Sequence, residues 1–146
     1  MFGYLLRRSG DYDLAADMMQ ESFTRYFERY GDRDPSVPLL FTIGRNCFTD
    51  HARRRRADMP YDESEHGRIE EQDQEKAFLL REESRQVLDA LQKLDKNESD
   101  LLGLAVSSGL SYQEISEMTE MSIANVKVII HRARAKLRQI LKKGAP

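Results

Sequence analysis

Residues 110–141 read LSYQEISEMTEMSIANVKVIIHRARAKLRQIL, and this stretch decides the fold. Its opening, Ser111 to Glu114, is a capping box: the serine hydroxyl and the glutamate carboxylate satisfy amides that have no partner inside the helix they start. That helix is short, turns Ile115 and Met118 inward, and ends near Thr119. Ser122 offers a second cap, and a long helix follows to about Leu141 with Val126, Ile130, Ala133, Leu137 and Leu141 on one buried stripe. Two helices joined by a tight turn, the second one basic, have the pattern of a helix-turn-helix whose second helix enters a major groove. At about 100° per residue, the face opposite the stripe carries Ala124, Lys127, Val128, His131 and Arg132. Alanine and valine can pack on thymine methyls there, and lysine and arginine can reach phosphates or guanine. A plain helical hairpin with a solvated basic face fits the same spacing.

Upstream, a helical pattern runs from near Lys76 through Val87, Leu91 and Leu94, and Asn97 can cap a further helix to Ser108, closed by Gly109. The clearest amphipathic helix is Leu14 to Tyr30. There Leu14, Ala15, Met18, Met19, Phe23, Tyr26, Phe27 and Tyr30 recur at helical spacing, opposite Asp17, Gln20, Glu21, Thr24 and Glu28. Asp11 or Asp13 can cap it and Gly31 ends it. Pro35 and Pro38 impose a loop, after which a second helix is expected from about Leu39 to Arg56. It turns Leu39, Leu40, Ile43 and Cys47 inward, and leaves Arg45, Asn46, Asp50 and Arg53 to Arg56 wet. No strand alternation or internal repeat is present. The reading is an all-α chain of two small helical domains.

The charges are sorted along the chain. The 146 residues carry a net charge of −2, an unpromising figure for a nucleic-acid binder. Yet residues 1–56 hold ten basic and eight acidic side chains, 57–75 hold one and eight, and 76–146 hold twelve and nine. From Met121 to Pro146 there are seven Lys or Arg and no Asp or Glu. Two basic modules, 1–57 and 76–146, are thus joined by an acidic segment, 58–75, with almost no apolar periodicity, expected to be a flexible linker. The longest apolar run, Leu101 to Val106, is far shorter than the roughly 18–20 residues of a membrane span. Met1 to Gly10 places its apolar residues before its arginines, the wrong order for a signal peptide. One cysteine, Cys47, excludes an internal disulfide framework. The expectation is a cytoplasmic chain without membrane insertion, monomeric when alone.

With both halves read, the chain resembles the bacterial RNA polymerase sigma factors, most closely the small extracytoplasmic-function (ECF) class. The C-terminal stretch resembles their region four. Gly10 to Phe23 resembles the polymerase-binding helix of region two, and Phe41 to Arg56 resembles the segment that opens and reads the −10 element. The resemblance covers nearly the whole chain in the right order. It implies that Asp17, Gln20 and Glu21 meet a coiled coil on the polymerase clamp. Arg45, Asn46, Asp50, Arg53, Arg54 and Arg55 would contact −10 DNA, with Asn46 and the loop before Leu39 holding unstacked bases and Arg53 to Arg56 lying along phosphates. Ser122, Asn125, Lys127, Val128, His131 and Arg132 would read the −35 element. The acidic segment would pass through the RNA channel of the polymerase, and an anti-sigma factor is the implied regulatory partner.

Four departures qualify the resemblance. The family's first helix is largely missing before Gly10. Leu39 stands where a tryptophan is common, Glu120 where the turn glycine is usual, and Val128-Ile129 where polar residues are common. Glu120 therefore requires a turn without positive φ, or strain. No cofactor or metal is expected: Cys47 and His51 lie one helical turn apart, but His66 and His131 are distant from them and the set is too small for a metal site. Asp62, Glu63 and Glu65 read as solvated charge, and no nucleophile–base pattern is present, so the chain is read as no enzyme. The leading function is a promoter-specificity subunit working with core RNA polymerase. A sigma-like decoy for an anti-sigma factor and a stand-alone helix-turn-helix regulator are the alternatives. The decoy leaves Arg53 to Arg56 without a purpose, and the regulator leaves the N-terminal resemblance unexplained.

Overall fold

Among the described residues seven helices follow one another: α1 (Phe2–Ser9), α2 (Tyr12–Tyr30), α3 (Val37–Asp58), α4 (Lys76–Gln92), α5 (Lys96–Ser107), α6 (Tyr112–Thr119) and α7 (Ile123–Gly144). The computed structural model describes residues 1–58 and 76–144, so the acidic segment read as a linker lies, beyond Asp58, outside the described residues. All regular structure among the described residues is helical.

Local chemistry sets most of the boundaries. Gly10 sits at φ 68°, where a side chain would be strained, and its N–H donates to the Leu6 carbonyl to close α1. Asp11 then caps α2 by accepting from the Leu14 N–H at 3.1 Å. Pro38 falls in the first turn of α3, where its missing N–H costs nothing, so the helix starts at Val37 rather than near Leu39. The Ser36 hydroxyl accepts from the Leu39 N–H at 3.2 Å. The Ser111–Glu114 capping box forms as expected. Ser122 caps α7, accepting from the Asn125 N–H at 3.1 Å.

Some expectations need correcting. α5 is capped by Asp95, in a box with Glu98, and not by Asn97; Asp95 lies one residue before the helix with its Glu three residues on, the reciprocal spacing that Asn97 lacks. Val87 and Phe27, expected inside, are exposed, and Leu88 packs on the core instead of Val87. Phe27 sits one position round the helix from Tyr26, which is buried and directs its hydroxyl at the Arg33 carbonyl. The residues before Gly10, where the family's first helix reads as largely missing, form α1 over Phe2–Ser9.

That short helix joins the two halves of the molecule. Tyr4 and Leu5 are fully buried, and α1 packs on α2 on one side and on α4 and α5 on the other. The apolar cluster is accordingly continuous: Tyr4, Leu5, Met18 and Phe41 belong to the same core as Leu91, Leu101, Leu104, Ile115, Val126 and Ile130. The Tyr4 ring meets Phe41 edge-on with centroids 5.6 Å apart. Gly103 admits that ring to the surface of α5: a Cβ there would stand 3.0 Å from Tyr4 Cδ2.

Candidate nucleic-acid interface

The helix-turn-helix is built as its sequence dictates. α6 and α7 pack through Ile115, Val126, Ile130 and Ala133, which fixes the outward face of α7 by default. Ala124, Asn125, Lys127, Val128, His131 and Arg132 are all exposed on it, followed by Arg134, Lys136 and Arg138. The turn between the helices carries the one non-glycine residue with positive φ among those described, Glu120 at 58°. The strained alternative is therefore the one adopted, at a cost of about 1–2 kcal/mol for an L-residue. The Ser116 hydroxyl holds the turn by donating to the Met121 carbonyl at 2.5 Å. Ser122, expected on DNA, spends its hydroxyl on the cap.

In the N-terminal half, α3 carries Asn46 exposed and Arg53 to Arg56 exposed around its C-terminal turns. Asp50, expected wet and on DNA, is half-buried and bonded to Arg25 of α2 at 3.1 Å, with Arg53 at 3.9 Å. Arg25 also bonds Glu21 at 2.9 Å, so a chain of charges links the polar stripe of α2 to the basic end of α3. Those hydrogen bonds, to Glu21 first and to Asp50, hold the Arg25 pKa above its ordinary value. Asp17, Gln20 and Glu21 share one exposed face of α2.

Arg45 departs furthest from expectation. It is not wet: its guanidinium grips Asp100 of α5, with Nη2 at 2.7 Å and Nε at 3.0 Å from Oδ2. Tyr4 of α1 donates to Oδ1 of the same carboxylate at 2.5 Å, and Arg8 stands 3.6 Å from it. Burial opposes the charge on Arg45, but the hydrogen bonds and charge of Asp100 outweigh it and hold its pKa up. Burial and then the Asp100 charge push the Tyr4 phenol up as well, which keeps it a donor. Sequence reasoning missed Tyr4, Arg8, Arg25 and Asp100. Arg8–Tyr4 and Arg25–Glu21 fall at i,i+4, a spacing that could have found them, but Asp100 lies 96 positions from Tyr4 and 55 from Arg45, which no spacing signals.

The described residues thus present two exposed basic surfaces, one at the end of α3 and one on the second helix of a helix-turn-helix. Residues 84–137 match the family model "Sigma-70, region 4". The chain is similar to the ECF RNA polymerase sigma factor EcfG of Rhodopseudomonas palustris, at 32% identity over 94% of this chain and 77% of that protein. It is 29% identical to the ECF RNA polymerase sigma factor SigM of Bacillus subtilis, over 99% of this chain and 90% of that one. The fold is that of the sigma factor RpoE of Bartonella quintana, solved in complex with the anti-sigma factor NepR: TM-score 0.69 at 21% identity, covering 97% of this chain and 89% of that one. The chain belongs to the ECF sigma factors, the transcription-initiation subunits the sequence resembles. No helix among the described residues is long and apolar enough to cross a membrane.

Proposed function

We propose that the chain is a promoter-specificity subunit whose N-terminal domain, residues 1–57, docks on core RNA polymerase and reads the −10 element. Its C-terminal domain, residues 76–146, reads the −35 element. The observation that carries this reading is the pairing of two separate exposed basic surfaces, Arg53 to Arg56 on α3 and Lys127 to Arg132 on α7, with a polar stripe on α2. The α2 stripe of Asp17, Gln20 and Glu21 offers carboxylates and an amide to a basic coiled coil on the polymerase. Asn46 faces the unstacked −10 bases while Arg53, Arg54 and Arg55 follow the backbone. Capture of those bases offsets an unstacking cost of a few kcal/mol per step, so opening needs no ATP. On α7, Lys127 and Arg132 supply phosphate or guanine contacts and Val128 an apolar one, with Asn125 and His131 at the edges.

The decoy reading is the weaker one, because a decoy has no use for four consecutive exposed arginines on α3. Multi-round transcription with purified core polymerase and a promoter library tests the proposal. The promoter-specificity reading expects new start sites sharing spaced −35 and −10 sequences. A decoy or stand-alone regulator leaves the start sites of core polymerase unchanged.

A further inference from the structure

Asp50 stands on α3 one turn before Arg53 and Arg54, the residues proposed to follow the promoter backbone. Its side chain is 36% exposed, so burial does not hide its charge. Left alone, this carboxylate would oppose phosphate. It would also draw an arginine back onto the protein, because aspartate with arginine three or four residues further on is a favourable helical pair. Arg53 already stands 3.9 Å from Oδ1, yet its own side chain is 76% exposed. The stretch from Asp50 to Arg56 holds one carboxylate against four arginines, so what partners Asp50 decides how many of the four are free.

Arg25 of α2 takes that carboxylate. Its Nη1 donates to Asp50 Oδ2 at 3.1 Å, and its Nε donates to Glu21 Oε1 at 2.9 Å. Helical side chains lean toward the N-terminus of their own helix, which carries the Arg25 guanidinium back over Glu21. The guanidinium is planar with its donors fixed relative to one another, so a bond at Nε sets the aim of the remaining nitrogens. The two helices also meet closely within one turn of Arg25. Ser22 is fully buried, with its hydroxyl donating to the Met18 carbonyl at 2.6 Å. Gly44 of α3 leaves room beside it: a Cβ there would lie 3.8 Å from Ser22 Oγ and 2.7 Å from Met1 Sδ.

We propose that Arg25 is a positioning residue for the −10 face: by holding Asp50 it takes a negative charge off the promoter-facing surface and leaves Arg53 and Arg54 free for phosphate. This rests on the assignment of α3 to the promoter. Arg25 itself contacts no DNA and acts through its neighbours. Asp50 is likewise no DNA contact; its place one turn before the arginines makes its neutralisation a condition of their use.

The test measures, across a salt series, how holoenzyme binds a promoter selected from the library, with the chain saturating core polymerase. Arg25→Ala should bind several-fold more weakly, and its slope of log K against log salt should be shallower by about 0.7–0.9, the value of one phosphate contact. Arg25→Met, which keeps an unbranched stem without the charge, should do the same and serves if the alanine variant loses helicity. Adding Asp50→Asn to Arg25→Ala should restore the parent affinity and slope, because no carboxylate is left to draw an arginine back. In a background of Arg53→Ala with Arg54→Ala, Arg25→Ala should lower neither any further, whereas a diffuse charge effect on DNA would add in full. A parent-like slope in both Arg25 variants, no recovery with Asp50→Asn, or an undiminished loss in the Arg53 and Arg54 background overturns the proposal. If Arg53→Ala with Arg54→Ala itself leaves the slope unchanged, the promoter assignment of α3 has failed, and the positioning role falls with it.

Discussion

Glu120 shows how much a single backbone angle reveals. The sequence places a glutamate where the turn needs a left-handed residue, and the structure adopts that conformation at φ 58° rather than avoiding it. Glycine carries no such penalty but loses more freedom on folding, so Glu120→Gly should stabilise the chain by a net ~0.5–1 kcal/mol, read as a higher urea midpoint with unchanged slope. An unchanged or lower midpoint would mean that the turn is not strained. Val128 and Arg132 are exposed on α7 and support no core contact, so their substitutions should leave the fold alone. Arg132→Ala should weaken promoter-dependent transcription without changing affinity for core polymerase. Val128→Ser should alter the preferred −35 sequence of the holoenzyme; an unaltered preference with unaltered activity would move Val128 from the groove to a protein-docking surface. The α7 face was legible because period and polarity agree over five turns. Arg45 was not, because its partner is 55 positions away and a wet arginine and a clasped one look alike in sequence.

At the scale of elements, the helices that hydrophobic period and capping chemistry both specify appeared where expected. α6 and α7 carry their caps at Ser111 and Ser122, and α2 runs from an Asp cap to Gly31. Errors gathered where one signal acted alone. α1 has only eight residues, too few turns for a period to show, and its Tyr4 and Leu5 are buried by helices distant in sequence. The α5 boundary slipped because Asn97 and Asp95 are both good caps, and only Asp95 has the Glu98 that completes the box. Val87 and Leu88 are adjacent, and the choice between them depends on the angle at which α4 meets its neighbours. The α2 stripe yields the test of docking. Asp17→Ala with Gln20→Ala removes exposed side chains from the face opposite the core, so circular dichroism should be unchanged. Affinity for core polymerase should fall by ~1–3 kcal/mol if their partners are left unsatisfied. Equal affinity, with equal helicity, would remove that face from the polymerase contact.

The whole molecule is more integrated than two modules on a tether. Composition sorts the chain into basic, acidic and basic parts, with α1–α3 before the acidic run and α4–α7 after it. It says nothing of how they meet, because the seam is made by side chains from both ends of the sequence. Tyr4, Leu5, Leu91 and Leu101 share one core, so urea unfolding of the full chain followed by helical signal should be a single cooperative transition. Two transitions would show that the halves hold their stability separately.

On the proposed function, one chain reads two promoter elements with two faces that are apart in the sequence. Hydroxyl-radical footprinting of the holoenzyme on a selected promoter tests it most directly. Two protected patches are expected, about 25 base pairs apart along ~85 Å of duplex. The upstream patch should be lost with Lys127→Ala and Arg132→Ala, and the downstream patch weakened with Arg53→Ala and Arg54→Ala. A footprint confined to one patch, or one that either pair of substitutions erases entirely, would contradict it.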